Sequence, residues 1–348
     1  MPNIYYLIPD LSKPKFSSKA LVKSLSSFTL LKYLKSAFIR KDKPIGGIKV
    51  IYQHCILLKE LGYTVYPVLM GEYKGNFFGY ALDYKTYKQI KNTLKKDDIV
   101  IATEFMPYEG LLFEPARKVL FMQNWINIKK RLKNVDIGKS YLELGYDNVI
   151  TCGQYCTDLV YKYMGISSTP ITNGIDHDKF RALPDKRIPN RILALSRKNP
   201  GDLTNIIQLT KHLNCDFRVI DGLTEAQLIN EYQSADVFLA TGYPEGFGLP
   251  PLEAMSCGCV VVGFTGGGAS EFMIDGHTAL VSEDGDCQGV AKNIELVLHD
   301  LVFKETLRAG GQEIAKKFSL IATKKALLDF YIGTLKIEPY VDDIRKVE

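Results

Sequence analysis

Short apolar runs alternate with helix-length amphipathic segments along most of the chain, and that alternation restricts the fold more than any other feature. Runs of strand length stand at Ile4–Ile8, Thr64–Leu69, Ile99–Thr103, Lys118–Met122, Asn148–Thr151 and Pro170–Thr172. Segments such as Lys49–Leu61 and Thr86–Lys95 read as helices between them. A second series follows at Arg191–Leu195, Asp216–Ile220, Asp236–Ala240, Cys259–Phe264 and Thr278–Val281. Strands joined through helices make right-handed crossovers and parallel sheets, so two such series predict two doubly wound α/β domains. The pattern breaks across Thr172–Pro184, TNGIDHDKFRALP, which predicts domains over residues 1–173 and 174–323. Sheets of this kind take ligands at the carboxyl ends of their strands. A two-domain version therefore holds its substrate in the cleft between the sheets.

At 348 residues the chain has the length for two ordinary domains whose cores need neither disulfides nor metals. Its seven cysteines are scattered. The closest, Cys152 with Cys156 and Cys257 with Cys259, have no second pair or histidine cluster beside them, as a zinc site requires. Reduced, partly buried thiols in the cytoplasm are expected. No apolar run has the length of a membrane span, and MPNIYYLIPD lacks the positive region of a secretory signal. The formal net charge is +5, yet residues 12–43 alone carry nine basic side chains against one acid, Asp42, for a net of +8. Basicity so concentrated argues against a nucleic-acid-coating protein and for one adhesive surface. Within it Leu21, Leu25, Phe28, Leu31, Leu34 and Phe38 recur at helical spacing, with Lys23, Lys32 and Lys35 interspersed. Such a helix can make a peripheral contact with the anionic inner face of a membrane, or pack on its own domain with its lysines in water.

Residues 245–253 read EGFGLPPLE. Pro250 and Pro251 suit the first turn of a helix, where a missing N–H costs nothing. Phe247, Gly248 and Leu249 then lie at a helix N-terminus, where unpaired N–H groups and the helix dipole favour an anion. Glu245 precedes the helix and Glu253 sits about one turn inside it, so both can face one ligand. Spacing alone leaves an alternative open, with Glu245 as a cap and Glu253 as a solvated acid.

Glutamate, seven residues and glutamate around GFGLP resembles the signature of retaining glycosyltransferases of family 4, which have the GT-B fold. The following EAMSCGCVVVGFTGGGASEFMIDGHTALV is similar to that family through Gly258, Gly266–Gly268, Glu271, Gly276 and Val281. TNGIDHDKF resembles the family's linker-side segment, and IGGIKVIYQHCILLKELGYTV its paired-glycine loop, helix and second strand. Four segments in the family's order cover most of the chain. The resemblance implies two Rossmann-like parallel-sheet domains facing a central cleft, with residues 324–348 crossing back onto the first.

The resemblance also implies a retaining hexosyltransferase that moves a sugar from a nucleotide-diphosphate sugar to an acceptor hydroxyl, with no metal or other cofactor. Glu245 would hydrogen-bond the donor sugar beside the reacting carbon, and Glu253 the ribose hydroxyls. Backbone N–H groups of Gly246, Phe247, Gly248 and Leu249 would meet the diphosphate or the sugar. Gly46 and Gly47 would bring the first domain's backbone against the diphosphate, and Asn173 would join the donor site from the linker. Arg197 and Lys198, in ALSRKNPGDL, would stabilise the departing diphosphate. The acceptor would be a glycan or a lipid-linked hydroxyl.

The sequence departs from the family pattern in four places. The family's lysine, beside a glycine a few residues past the arginine, is missing from NPGD, which leaves its part to Lys198. Gln123 in FMQNW stands where the family often has a histidine. An amide can bond a sugar hydroxyl but does no acid–base work at neutral pH. Only Asp216–Ile220 fits as a strand between Leu195 and Asp236, so the second domain is expected to be shorter by one strand–helix unit. The basic stretch is an insertion before Gly46. Asp176–His177–Asp178 has a metal-binding Asp-x-Asp spacing, but the resemblance assigns it to the linker. Two other readings stay open: a non-catalytic nucleotide-sugar-binding partner subunit, and a nucleotide-sugar epimerase of the same fold. A dehydrogenase is disfavoured, because no Gly-x-Gly-x-x-Gly follows the first strand.

Overall fold

The computed structural model describes residues 2–9, 46–71 and 82–340. The basic stretch at 12–43, with the expected membrane contact, and residues 341–348 lie outside the described residues. Two all-parallel sheets frame the chain. The first has the order β3–β2–β1–β4–β5–β6–β7, from β1 (Ile4–Ile8), β2 (Val65–Leu69), β3 (Lys85–Thr86), β4 (Ile99–Thr103), β5 (Arg117–Met122), β6 (Asn148–Thr151) and β7 (Thr169–Pro170). The second runs β12–β11–β10–β8–β9, from β8 (Arg191–Leu195), β9 (Asp216–Ile220), β10 (Val237–Ala240), β11 (Val260–Phe264) and β12 (Ala279–Ser282). Every residue of β1, β4 and β11 is buried. Parallel strands covered on both faces read as continuous apolar runs, which is why the strands were legible. Strand order reverses between β1 and β4 and between β8 and β10, the points at which such sheets open a crevice.

The principal helices are α1 (Gly46–Glu60), α2 (Gln154–Met164), α3 (Pro200–Leu209), α4 (Glu225–Ser234), α5 (Leu249–Ser256), α6 (Cys287–His299), α7 (Leu301–Lys316) and α8 (Leu320–Asp329). The helix expected over Thr86–Lys95 is one turn only, Tyr87–Ile90, preceded by the short β3. Ile90 is its single buried residue, and Thr93 donates its hydroxyl to the Ile90 carbonyl. With no apolar stripe to bury and a threonine competing for the backbone, the helix does not extend. The strand expected over Pro170–Thr172 is the two-residue β7.

The chain's C-terminal part returns to the first sheet's side. α8 packs on α1, Lys324 Nζ lies 3.0 Å from Glu60 Oε2, and Tyr63 donates its hydroxyl to the Ile337 carbonyl at 3.0 Å. Arg117 Nη1 donates to the Leu335 carbonyl at 2.8 Å. In the second domain, α7 is tied to the foot of β10 by a buried ion cluster. Asp236 accepts from Lys304 Nζ at 2.9 Å, from Arg308 Nη2 at 2.6 Å and from the Asn190 N–H at 3.1 Å. No helix among the described residues is long and apolar enough to cross a membrane.

Candidate active site

The carboxyl ends of both sheets face each other across a cavity of about 390 Å³. From the first domain it is lined by Gly46 and Gly47 at the start of α1, by Lys49, and by Glu104 and Gln123 after β4 and β5. From the second come Arg197 and Lys198 after β8, the Glu245–Pro250 loop after β10, and Glu253. α1 and α5 both open onto this space. Their first-turn N–H groups have no partner within the helix, so two dipole ends favour an anion here.

The EGFGLPPLE loop is held by packing and by backbone pairing. Glu245 N–H donates to the Gly266 carbonyl at 2.8 Å, and Gly268 N–H donates to the Glu245 carbonyl at 3.3 Å. Phe247 is buried, with its ring centroid 5.5 Å from Phe272 and 5.8 Å from Phe318. Its side chain is therefore structural, and only its backbone is available to a ligand. Gly248 caps α5 at φ +89°, a conformation that strains any residue with a Cβ. At Gly246 the two domains touch, because a Cβ would strike the Gln123 carbonyl and the Asn124 Cα. Gly246→Ala is expected to disfavour this closed approach by about 1–3 kcal/mol, the usual cost of overpacking. Solution scattering would show it as a larger radius of gyration, whereas an unchanged radius would mean that the contact is not limiting.

The acids do not occupy the alternatives that spacing left open. Glu245 is not the cap. Its Oε1 lies 2.6 Å from Lys198 Nζ, which also donates to the Pro244 carbonyl at 3.0 Å. Glu253 is not solvated but 4 % exposed, and both its oxygens are engaged. Lys49 Nζ approaches Glu253 Oε1 at 2.9 Å and Glu225 Oε1 at 2.6 Å, while the Tyr232 hydroxyl donates to Glu253 Oε2 at 3.3 Å. Burial alone would lower the Lys49 pKa, but Glu253 and Glu225 outweigh it and hold the ammonium well above its ordinary value. Lys49 thus joins the domains through two carboxylates of the second, and ribose hydroxyls could reach Glu253 only by sharing or displacing it.

Lys198 and Arg197 separate in the same way. Lys198 is taken by Glu245, whereas Arg197 is exposed in the cleft and makes no ion pair among the described residues. Gly47 faces the Gln123 amide, and no described residue comes within 4 Å of a Cβ built at Gly46. Gln123 Nε2 and Asn173 Oδ1 are buried with no partner among the described residues. Buried polar atoms normally find a partner. Asp176 bonds the N–H groups of Asp178 and Lys179 and pairs with Lys179 Nζ at 3.1 Å, as a turn residue does.

Glu104, which the sequence reading passed over, is buried beside the cavity. It accepts from the N–H groups of Gln123 and Asn124, each at 3.0 Å, and from Asn127 Nδ2 at 3.2 Å. Burial pushes its pKa up to about 7, against the pull of those bonds. It clamps the corner that carries Gln123. The available signal was an acid directly after an apolar strand, in IATEF.

A fold of two Rossmann-like domains with this cleft is the GT-B fold. Residues 180–317 match the family model of glycosyl transferases group 1, which covers the second domain's sheet and cleft loops. Over 118 residues, 34% of this chain, the sequence is 30% identical to a D-inositol 3-phosphate glycosyltransferase of Streptosporangium roseum. The matched stretch spans 27% of that protein. It is also 32% identical over 120 residues to the serotype-specific mannosyltransferase WbdA of Escherichia coli, covering 34% of this chain and 14% of WbdA. Among solved structures, Anabaena Alr3699/HepE in complex with UDP and glucose superposes with a TM-score of 0.72 at 15% identity, over 96% of this chain and 100% of that one. Sucrose-phosphate synthase of Thermosynechococcus elongatus gives 0.66 at 15% identity, over 97% of this chain and 100% of that one. At such identities the likeness establishes the fold.

Proposed function

We propose that the protein is a glycosyltransferase that moves a sugar from a nucleotide-diphosphate sugar to an acceptor hydroxyl with retention of configuration, without a metal, on the cytoplasmic side of the membrane. Domains divided at residues 173 and 174 would close on the donor. The observation that carries this reading is the convergence on one cavity of two helix N-termini, the cation Arg197, which has no ion-pair partner among the described residues, and the acids Glu245 and Glu253. The N-termini and Arg197 suit a leaving diphosphate, since N–H donors and a cation stabilise charge as it develops. Gln123 Nε2, Asn173 Oδ1 and Glu245 suit sugar hydroxyls. Front-face attack, in which the leaving-group oxygens help take the acceptor proton, needs no dedicated base. The named relatives support the class of reaction, and the match to residues 180–317 supports the donor side.

The non-catalytic partner reading draws on one observation, that Glu253 and Lys198 are already paired within the protein. Incubation with donor and a mixture of glycan acceptors, followed by NMR of the product anomer, separates these readings. The expected product keeps the donor's anomeric configuration, and a chelator leaves the rate unchanged. An inverted anomer would sink retention, and chelator sensitivity would sink metal independence. Donor binding with no turnover would favour the partner subunit.

A further inference from the structure

The facing edges of the two sheets carry a second concavity that the donor reading leaves unused. The donor cavity lies over the ends of β8, β9 and β10, whereas this recess lies over the ends of β11 and β12, at the other side of the same sheet. The two adjoin. Asn124 lines the first and Trp125 the second, and Glu245 lines the first and Pro244 the second. A molecule in the recess therefore sits one residue away from the place assigned to the donor sugar.

Its walls come from both domains. The first domain contributes Trp125, whose ring stacks nearly parallel on Tyr163 at 6.2 Å, and Tyr155. Tyr155 has room only because Gly267 across the cleft has no side chain, since a Cβ there would strike its ring and hydroxyl. The indole N–H of Trp125 is buried without a partner among the described residues. The second domain contributes the Asp275, Glu283 and Asp284 carboxylates. Asp284 is fixed by the Gly266 N–H at 3.1 Å, and Asp275 by the Val281 N–H at 2.8 Å. Aromatic faces beside carboxylate acceptors match a pyranose ring, whose C–H face is apolar and whose hydroxyls donate. Three carboxylates around one mouth repel phosphate and uronate groups.

We propose that the recess between Trp125, Tyr155, Glu283 and Asp284 is the subsite for the acceptor, and that it takes neutral or amino-bearing sugar rings in preference to phosphorylated or uronic-acid ones. The assignment as an acceptor subsite rests on the donor reading of the adjoining cavity. Trp125 is the only tryptophan of the chain, so intrinsic emission reports on this recess directly. The emission of the full chain is titrated with methyl glycosides and trisaccharides of neutral hexoses and of glucosamine, then with the matching hexose phosphates and uronates. Nucleotide-diphosphate affinity is followed separately by calorimetry.

The expected result is a saturable change with at least one neutral or amino sugar and none with its anionic counterparts. Tyr155→Ala should weaken that response by up to about tenfold, the loss of one aromatic contact, and leave nucleotide affinity as in the parent. Glu283→Gln with Asp284→Asn, which keeps the aromatic faces, should admit the anionic sugars. No saturable change with any neutral or amino sugar overturns the assignment, and so does an equal response to the anionic ones. A sugar response without nucleotide affinity would instead overturn the donor reading, so the two failures are distinguishable.

Discussion

Arg197→Ala is expected to lower turnover by about 10²–10³-fold, the usual loss when one donor to a developing negative charge is removed from a preorganised site. Sequence offered two adjacent cations for this work, and the structure distinguishes them. Lys198 is held at 2.6 Å by Glu245, so its charge is already matched by a carboxylate. Arg197 has no carboxylate partner among the described residues and stands where the leaving diphosphate would emerge. Removing an exposed side chain away from the core also leaves the folded protein largely undisturbed. The effect should therefore appear in kcat with little change in thermal stability, measured on the same preparation. Lys198→Ala should do less to the leaving group and more to the orientation of Glu245. If Arg197→Ala kept full turnover while Lys198→Ala abolished it, the roles would be reversed.

Asp236→Asn is expected to give the largest loss of stability. The side chains of Lys304 and Arg308 are about 6% and 5% exposed beside it, and the substitution leaves Lys304 buried without an ionised partner among the described residues and Arg308 with only the exposed Glu305. Breaking such a cluster from one side costs about 3–5 kcal/mol. That is a large share of a domain's typical margin of about 5–15 kcal/mol. Burial raises the pKa of Asp236, but its bonds to Lys304, the Asn190 N–H and Arg308 prevail and bring it below the ordinary carboxylate value. A depressed folded-state pKa contributes stability above the unfolded value of about 3.9, and that stability is lost as pH falls through the folded value. The parent should therefore lose stability below about pH 4, and Asp236→Asn should show a weaker acid dependence. Denaturant unfolding followed at several pH values measures both. Equal stability of the two proteins at neutral pH would show that the cluster is replaceable.

What was legible in the sequence was local. Both sheets could be read because parallel strands buried on both faces are unbroken apolar runs, and the loop at 245–253 because its glycines, prolines and acids lie within one stretch. Lys49 was not legible as a cleft residue. Its partner Glu253 is 204 positions away, and a lysine within a helical pattern reads as a solvated face until the domains are brought together. Glu104 was missed because an acid after a strand resembles a turn, and its three donors become its neighbours only through the pairing of β4 with β5. The segment at 86–95 misled in the opposite sense, with helix-like spacing but no apolar face to bury.

Binding of a nucleotide diphosphate to the cleft is the central claim, and calorimetry with UDP-, GDP-, TDP- and ADP-sugars tests it most directly, with Glu253→Ala alongside. The predicted result is saturable binding of one donor to the parent chain, and its loss in the variant, which keeps Lys49 paired with Glu225. Equal affinity in both proteins, or no binding of any donor to the parent, would contradict the account.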